Sequence, residues 1–318
     1  SPLTSMRQAA RCGARLVIPG DAEWPVAFAD LGLHQPLALW VRGRPRAAAG
    51  LSRAIAIVGA RAATGYGEHM AMELSAGLSD EGFGIASGAA YGIDGMAHRS
   101  ALATSGQTYA FLAGGVDRFY PSGHDALLTR IADVGAVLSE LPCGAAPTKW
   151  RFLQRNRLIA AAAQAVVVVE AGVRSGSLNT AAHAAAMGRP LGAVPGPVTS
   201  LSSAGCHRLL RDFDAVCITS PSDVMELLGH DAGRQPMLAI EGVQSAGEKE
   251  CPAERGRRRP AEHVRVLDAV SGRSPRSTEE IARRAGISVA MAQAALGALS
   301  LERAVEERNE GWCAVRSG

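Results

Sequence analysis

Residues 53–98 read RAIAIVGARAATGYGEHMAMELSAGLSDEGFGIASGAAYGIDGMAH. Ile55–Val58 is a short apolar run that stops at Gly59. A helical pattern follows, from about Gly65 to Glu81, then a second short run at Gly84–Ala86 and a second helical stretch around Gly92–Thr104. Apolar runs without alternation belong to strands buried on both faces. Strands that alternate with helices predict a parallel, doubly wound sheet.

The same rhythm continues downstream. Further strands are expected at Thr108–Leu112, Ala136–Leu138, Ala165–Glu170, Leu191–Val194 and Ala215–Ile218, with helical segments between most of them. Strand after strand ends at glycine or a polar residue: Gly59, Gly88, Gly114, Glu140, Glu170, Gly196. Such sheets hold ligands outside the carboxyl ends of their strands, so these loops are where function is expected.

Outward from this core the composition changes twice. Residues 1–50 are mixed; Trp24, Pro25, Pro36 and the run Leu37–Val41 suggest a small adjunct that ends in a strand. Residues 230–260 are rich in Gly, Gln, Ser, Glu and Pro, carry the basic run Arg255–Arg259, and read as a linker. Beyond it, Glu262–Val270 is helical in pattern, Ser277-Thr278-Glu279-Glu280 opens a second helix, Gly286 breaks it, and Ser288 starts a third through Leu301. Residues 304–306 and 312–315 then pair as a hairpin across Asn309–Gly311. This order is that of a winged helix. Its last helix offers only Gln293 to a base edge, so a protein-interaction or regulatory role is expected ahead of DNA reading. The expected fold class is therefore α/β. A doubly wound Rossmann-like sheet (51–229) follows an N-terminal adjunct (1–50), and a linker (230–260) leads to a winged-helix domain (261–318).

With 318 residues, 47% of them hydrophobic and 20% charged, the chain can bury a sizeable core. Net charge is only +3, so any nucleic-acid footprint must be local. Lys149 and Lys249 are the only lysines; the other basic residues are arginines, whose planar fork suits phosphates. The six cysteines are scattered without a C-x-x-C pair, which argues against zinc and a disulfide framework. No apolar run approaches the roughly 18 residues a membrane span needs. The N-terminus lacks the charged-then-apolar pattern of a signal peptide. A cytoplasmic location with no membrane partner is expected.

Five constellations carry candidate chemistry. In Val58-Gly59-Ala60-Arg61 a strand ends, the backbone turns, and an Arg stands where a phosphate would approach. Gly65-Tyr66-Gly67 then precedes a helix N-terminus. The loop is neither G-x-G-x-x-G nor a Walker A motif. In Ser87–Asp94 small residues permit close backbone approach to a ligand, and Asp94 and His98 share a helix face. That pair reads either as catalytic or, more simply, as a brace for the loop. Lys149-Trp150-Arg151-Phe152-Leu153-Gln154-Arg155-Asn156-Arg157 interleaves basic and aromatic residues, the recipe for single-stranded nucleic acid. Arg174–Thr180 clusters hydroxyls where a helix opens, as an anion or sugar site or as a plain N-cap. Gly205–Asp212 is a basic loop or the helix before the last strand.

Together these motifs resemble the DprA/Smf family of DNA-processing proteins. The matching pieces are VGAR at 58–61, SGAAYGID with AH at 87–98, GGVDRFYP at 114–121, SE-x-P at 139–142, F-x-x-RNR-x-IA at 152–160, SGSLNTA at 175–181, VPG at 194–196 and G-x-x-RLLRD at 205–212. Each is weak alone; the ordered set, spanning about 53–228, is specific. The resemblance implies a non-enzymatic single-stranded DNA-binding protein without a cofactor. It implies a homodimer that loads RecA on incoming strands in natural transformation and displaces or coexists with single-strand-binding protein. Carried over by motif, the DNA pocket comprises Arg61, the Gly88 loop, Lys149, Phe152, Arg155, Asn156 and Arg157, with Ser175, Ser177 and Asn179 facing them. Phe152 is the expected base-stacking residue and Lys149 a phosphate contact. Where many relatives have an Arg in the glycine loop, this chain has Tyr91, whose ring offers a stacking surface instead. Leu153 replaces a frequent Pro, and Ser122 a frequent basic residue. Two other readings stand beside it: a nucleotide-processing enzyme using the same crevice with Glu170, Asp94 or His98, and an interaction scaffold for which DNA is secondary, suggested by the weakly basic winged helix.

Overall fold

β3 (Ala54–Val58) and β7 (Ala165–Val168) lie side by side and parallel at the centre of the sheet, with Val58 opposite Val168. They belong to a computed structural model that describes residues 2–229, 261–271, 274–302, 304–308 and 311–315. These residues divide into two compact units, one before and one after the 230–260 segment. That segment, its basic run and the hairpin tip Asn309–Glu310 lie outside the described residues.

From β3 the chain passes through α2 (Gly65–Asp80), β4 (Gly84–Ser87), α3 (Ile93–Ala103), β5 (Thr108–Phe111), α4 (Asp125–Val134) and β6 (Ala136–Ser139). Helix α5 (Lys149–Ala162) then returns it to β7. It continues through α6 (Ser177–Ala186), β8 (Leu191–Ala193), α7 (Ala204–Asp212), β9 (Val216–Cys217) and α8 (Pro221–Leu227) on the other side. Before β3 come α1 (Pro2–Arg11), β1 (Ala14–Val17) and β2 (Leu39–Gly43). The strand order is β1-β2-β6-β5-β4-β3-β7-β8-β9, so the winding reverses between β3 and β7. All pairs from β6 to β9 are parallel; β2 joins β6 antiparallel, and β1 joins β2 antiparallel.

Strands β3 to β8 are buried on both faces, as expected, whereas the edge strand β9 is exposed at Val216 and Cys217. In β3, Ala54, Ala56 and Val58 pack into the layer with α5 and α6, while Ile55 and Ile57 pack with α2 and α3. In β7, Val166 and Val168 join the first layer and Ala165 and Val167 the second. This two-sided burial makes the strands read as solid hydrophobic runs.

The second unit holds α9 (Ala261–Ala269), α10 (Thr278–Ala285) and α11 (Val289–Leu301), then the antiparallel pair β10 (Val305–Arg308) and β11 (Gly311–Ala314). The Ser277 and Ser288 hydroxyls accept from Glu280 N and Met291 N and cap α10 and α11. Gly286 ends α10 at φ 67°, the left-handed conformation that suits glycine. Val266, Ile281, Leu296, Leu299 and Val305 form the unit's own core. The exposed side of α11 shows Val289, Met291, Ala294 and Gly297 around Gln293.

Candidate functional site

At the point where the winding reverses, the loops after β3 and β7 part company and leave a crevice at the carboxyl ends of the strands. There a cleft of about 1030 Å³ opens. Arg61 lines it from the loop after β3, Tyr120 from the loop after β5, and Arg174, Ser175 and Ser177 from the segment that enters α6. Lys149, Phe152, Leu153, Asn156 and Ile159 line it from α5 at the three-and-four spacing of one helix face, together with Arg155. The Thr148 hydroxyl accepts from Arg151 N at 3.4 Å and caps that helix, setting Lys149 at its first turn.

Phe152 is the hub of the cleft. The Arg61 guanidinium stands over its ring, 4.9 Å from the centroid, a cation–π contact. Tyr120 approaches with centroids 5.7 Å apart and planes inclined by 56°. Arg61 and Lys149 are exposed, so both cations face solvent at the cleft mouth.

Arg155 and Asn156 face inward instead. Arg155 is only 6% exposed, and its Nη1 donates to Gly88 O at 2.8 Å and also to Phe111 O. Its Nε donates to Asn156 Oδ1 at 3.2 Å. Burial pulls the guanidinium pKa down to about 10. Asn156 Nδ2 in turn donates to Gly176 O and to Asn179 Oδ1, each at 3.2 Å. One chain of hydrogen bonds thus ties the ends of β4 and β5 through α5 to the loop before α6. Two side chains of α5 hold the walls of the cleft in register.

Three of the expected site residues do not line the cleft. Gly88 contributes its carbonyl to Arg155, and a Cβ there would collide with that guanidinium. Asn179 is spent on Asn156. Arg157 sits on another side of α5 and pairs with Glu140 at 2.5 Å. Tyr91 packs edge-on against His124 (centroids 4.8 Å apart) and is not part of the lining, so its ring is not a stacking surface of this cleft. Tyr120 is the cleft residue that sequence reasoning passed over; it stood inside the GGVDRFYP motif without a role.

The glycine-rich loop is braced from below. Asp94 Oδ2 accepts from Gly88 N (3.1 Å) and Ala90 N (3.3 Å), and burial pushes its carboxyl up from the usual range against the pull of Arg155. Gly92, at φ 74°, lets the loop lie against the Ala60 and Arg61 carbonyls, where a side chain would clash. His98 is fully buried; Thr108 Oγ1 donates to Ile85 O and so accepts from His98 Nδ1 at 2.6 Å. Burial holds its pKa down to about 3. Asp94 and His98 therefore act as braces. Glu170 is likewise committed: its two carboxylate oxygens accept from Thr64 N and Thr64 Oγ1, both at 2.8 Å. The Ser175 and Ser177 hydroxyls bond each other at 2.7 Å where α6 opens on the cleft wall. Residues 205–212 form most of α7. Among the described residues, no group of His, Cys, Asp or Glu is placed to hold a metal, and no helix is long and apolar enough to cross a membrane.

Fold and site together define a class: a Rossmann-like α/β protein with a basic, aromatic cleft at its switch point, followed by a winged-helix unit. The sequence model of DNA recombination-mediator protein A matches residues 15–229, and that of the DprA winged helix domain matches residues 251–311. The chain belongs to the DprA/Smf family of DNA-processing proteins. It is 46% identical over 322 residues to a putative DNA processing protein DprA of Mycobacterium tuberculosis, covering 97% of this chain and 79% of that one. The DprA structure from Streptococcus pneumoniae superposes with a TM-score of 0.63 at 35% identity, covering 67% of this chain and 73% of that one. The Helicobacter pylori DNA processing protein A, described for its single-stranded DNA binding mode, gives a TM-score of 0.61 at 29% identity, covering 69% and 96%.

Proposed function

We propose that this chain binds single-stranded DNA in the cleft between β3 and β7 and, without catalysing a reaction, acts as a mediator that loads RecA onto the bound strand. One observation carries the reading: an open cleft is lined by Phe152 and by two exposed cations, Arg61, which stands over the Phe152 ring, and Lys149. Rings take unpaired bases and cations follow the phosphates, with little preference for sequence. The Helicobacter pylori relative, known by its single-stranded DNA binding mode, supports the choice of ligand. The family description as a recombination mediator supports the choice of process. Homodimer formation, competition with single-strand-binding protein and a cytoplasmic setting in natural transformation complete the proposal.

In this account Arg61, Lys149 and Phe152 touch the strand, with Ser175 and Ser177 at the far wall. Arg155, Asn156, Asn179 and Gly88 hold those groups in place, and Arg157 anchors α5 through Glu140. Phe152→Ala is expected to weaken oligo-dT binding by about 1–3 kcal/mol. Lys149→Ala and Arg61→Ala are each expected to lower the slope of log K against log salt by about 0.7, one single-strand phosphate contact. Unchanged binding in all three variants would remove the site. RecA filament growth on strands coated with single-strand-binding protein, with and without this protein, tests the mediator step; no acceleration contradicts it.

A further inference from the structure

Along α1, Ser5, Gln8, Ala9 and Cys12 recur at the three-and-four spacing of one helix face, with Cys12 just past the last turn. All four lie against the segment between β6 and α5. Ser5 Oγ donates to Cys143 O at 3.0 Å, Ala9 and Cys143 belong to one buried cluster, and a Cβ on Gly144 would meet Gln8 Oε1. The Cys12 thiol and the Asp117 carboxylate both stand within hydrogen-bonding reach of the Cys143 thiol. The same segment is fastened to the loop after β5, because Gly144 N donates to Asp117 Oδ1 at 2.8 Å and Gly115 N to Ala145 O at 2.9 Å. It then runs into α5, which carries Lys149 and Phe152. We propose that Cys12 and Cys143 form a reversible disulfide on exposure to hydrogen peroxide, a covalent tie between the N-terminal adjunct and the lead-in of α5. A transient pair of this kind is compatible with a chain that has no disulfide framework. It does not depend on what the cleft binds.

The surroundings divide the work between the two sulfurs. Cys12 is half-buried and within reach of a small oxidant. Cys143 is only 4% exposed, and burial together with the nearby Asp117 charge pushes its thiol up to about 12. The thiolate is the form that attacks peroxide, so Cys12 reacts first. Its sulfur takes one peroxide oxygen, the O–O bond breaks, and a sulfenic acid and one water result. The Cys143 sulfur, already beside it, then attacks the Cys12 sulfur. The S–O bond breaks, and the departing hydroxide takes up the Cys143 proton as a second water. Two thiols and one hydrogen peroxide thus give one disulfide and two waters. A thiol reductant returns both cysteines by exchange.

The test treats the full chain with hydrogen peroxide, quenches it, denatures, alkylates the remaining thiols and maps the peptides without reductant. A cross-linked peptide joining Cys12 to Cys143, lighter by two hydrogens than its parts and split by reductant, is expected. The cross-link closes a long loop and restricts the unfolded chain, so the urea midpoint is expected to rise on oxidation and to return with reductant. Cys12→Ser, a change at a half-buried position, is expected to show no such rise; oxidation of the exposed Cys217 is common to both chains and cancels. With dimedone present, Cys143→Ser is expected to carry the adduct at Cys12, and Cys12→Ser to carry none at Cys143. A wild type whose Cys12 stays a free thiol, or stops at the dimedone adduct or sulfinic acid without the cross-link, overturns the pairing. Dimedone adduct at Cys143 in Cys12→Ser overturns the order of steps.

Discussion

At the scale of single residues, Arg155 shows how burial changes what a charge is for. Its guanidinium is held by the Gly88 and Phe111 carbonyls rather than offered to solvent. Truncation to Met strands those buried acceptors, at about 1–3 kcal/mol each. Arg155→Met is therefore expected to lower the urea midpoint and weaken DNA binding through geometry. The salt slope of binding is expected to stay unchanged, in contrast to Lys149→Ala; a slope lowered by about 0.7 would make Arg155 a direct phosphate contact. His98 gives a pH prediction. Its folded pKa, about 3, lies below the ordinary 6.5 of a histidine because burial disfavours the charged ring, and its Nε2 has no hydrogen-bond partner among the described residues. The unfolded chain binds the extra proton first, so this contribution to stability is complete above pH 6.5 and fades as pH falls toward 3. Replacing His98 with Asn is expected to flatten the acid side of the stability curve by a few kcal/mol, on the order of the shift at about 1.4 kcal/mol per unit. The readout is the difference between variant and wild type in urea melts from pH 7 to 4, because Asp94 is shifted in the opposite sense. Equal acid slopes would mean His98 is not held neutral.

At the scale of elements, the sequence was most legible where the chemistry of a segment is uniform. Strands buried on both faces announce themselves as apolar runs, and β3, β4, β5, β6, β7 and β8 all fall within the expected segments or overlap them; the exposed edge strand β9 also falls inside its expected segment. β1 gave no such signal: Ala14-Arg15-Leu16-Val17 is a four-residue edge strand with mixed burial, recognisable only by its pairing with β2. The basic–aromatic segment was legible as a site but not as a set of roles. Residue types identify Arg155, Asn156 and Arg157 as polar, whereas only the turn of α5 decides that Lys149, Phe152 and Asn156 share the cleft face while Arg157 meets Glu140. Tyr120 lies on a loop, where no periodicity assigns direction. The junction of β7 with α2 offers its own test. The Glu170 carboxylate accepts two bonds from Thr64, and in Glu170→Gln an amide nitrogen replaces one acceptor. That variant is expected to lose about 1–3 kcal/mol of stability while keeping its DNA affinity once folded. Nucleotide turnover by the wild type that vanishes in this variant would instead give Glu170 a catalytic role.

At the scale of the whole molecule, the reversal of winding between β3 and β7 explains why one cleft gathers residues that are distant in sequence. Arg61, Tyr120, Phe152 and Ser175 come from four separate loops and helices, and each reaches the crevice from the carboxyl end of the sheet. The second unit has a separate core and a helix α11 that shows Gln293 amid small and apolar side chains. Removal of residues 230–318 is accordingly expected to leave oligo-dT affinity unchanged; a large loss in the same titration would transfer the DNA site to the winged helix. The measurement that bears most directly on the account is a titration of fluorescent oligo-dT and of a matched duplex with the full protein, at low and at moderate salt. Tight, salt-sensitive binding to the single strand with much weaker binding to the duplex is the predicted result. Equal affinity for both, or no binding to the single strand at low salt, would contradict it.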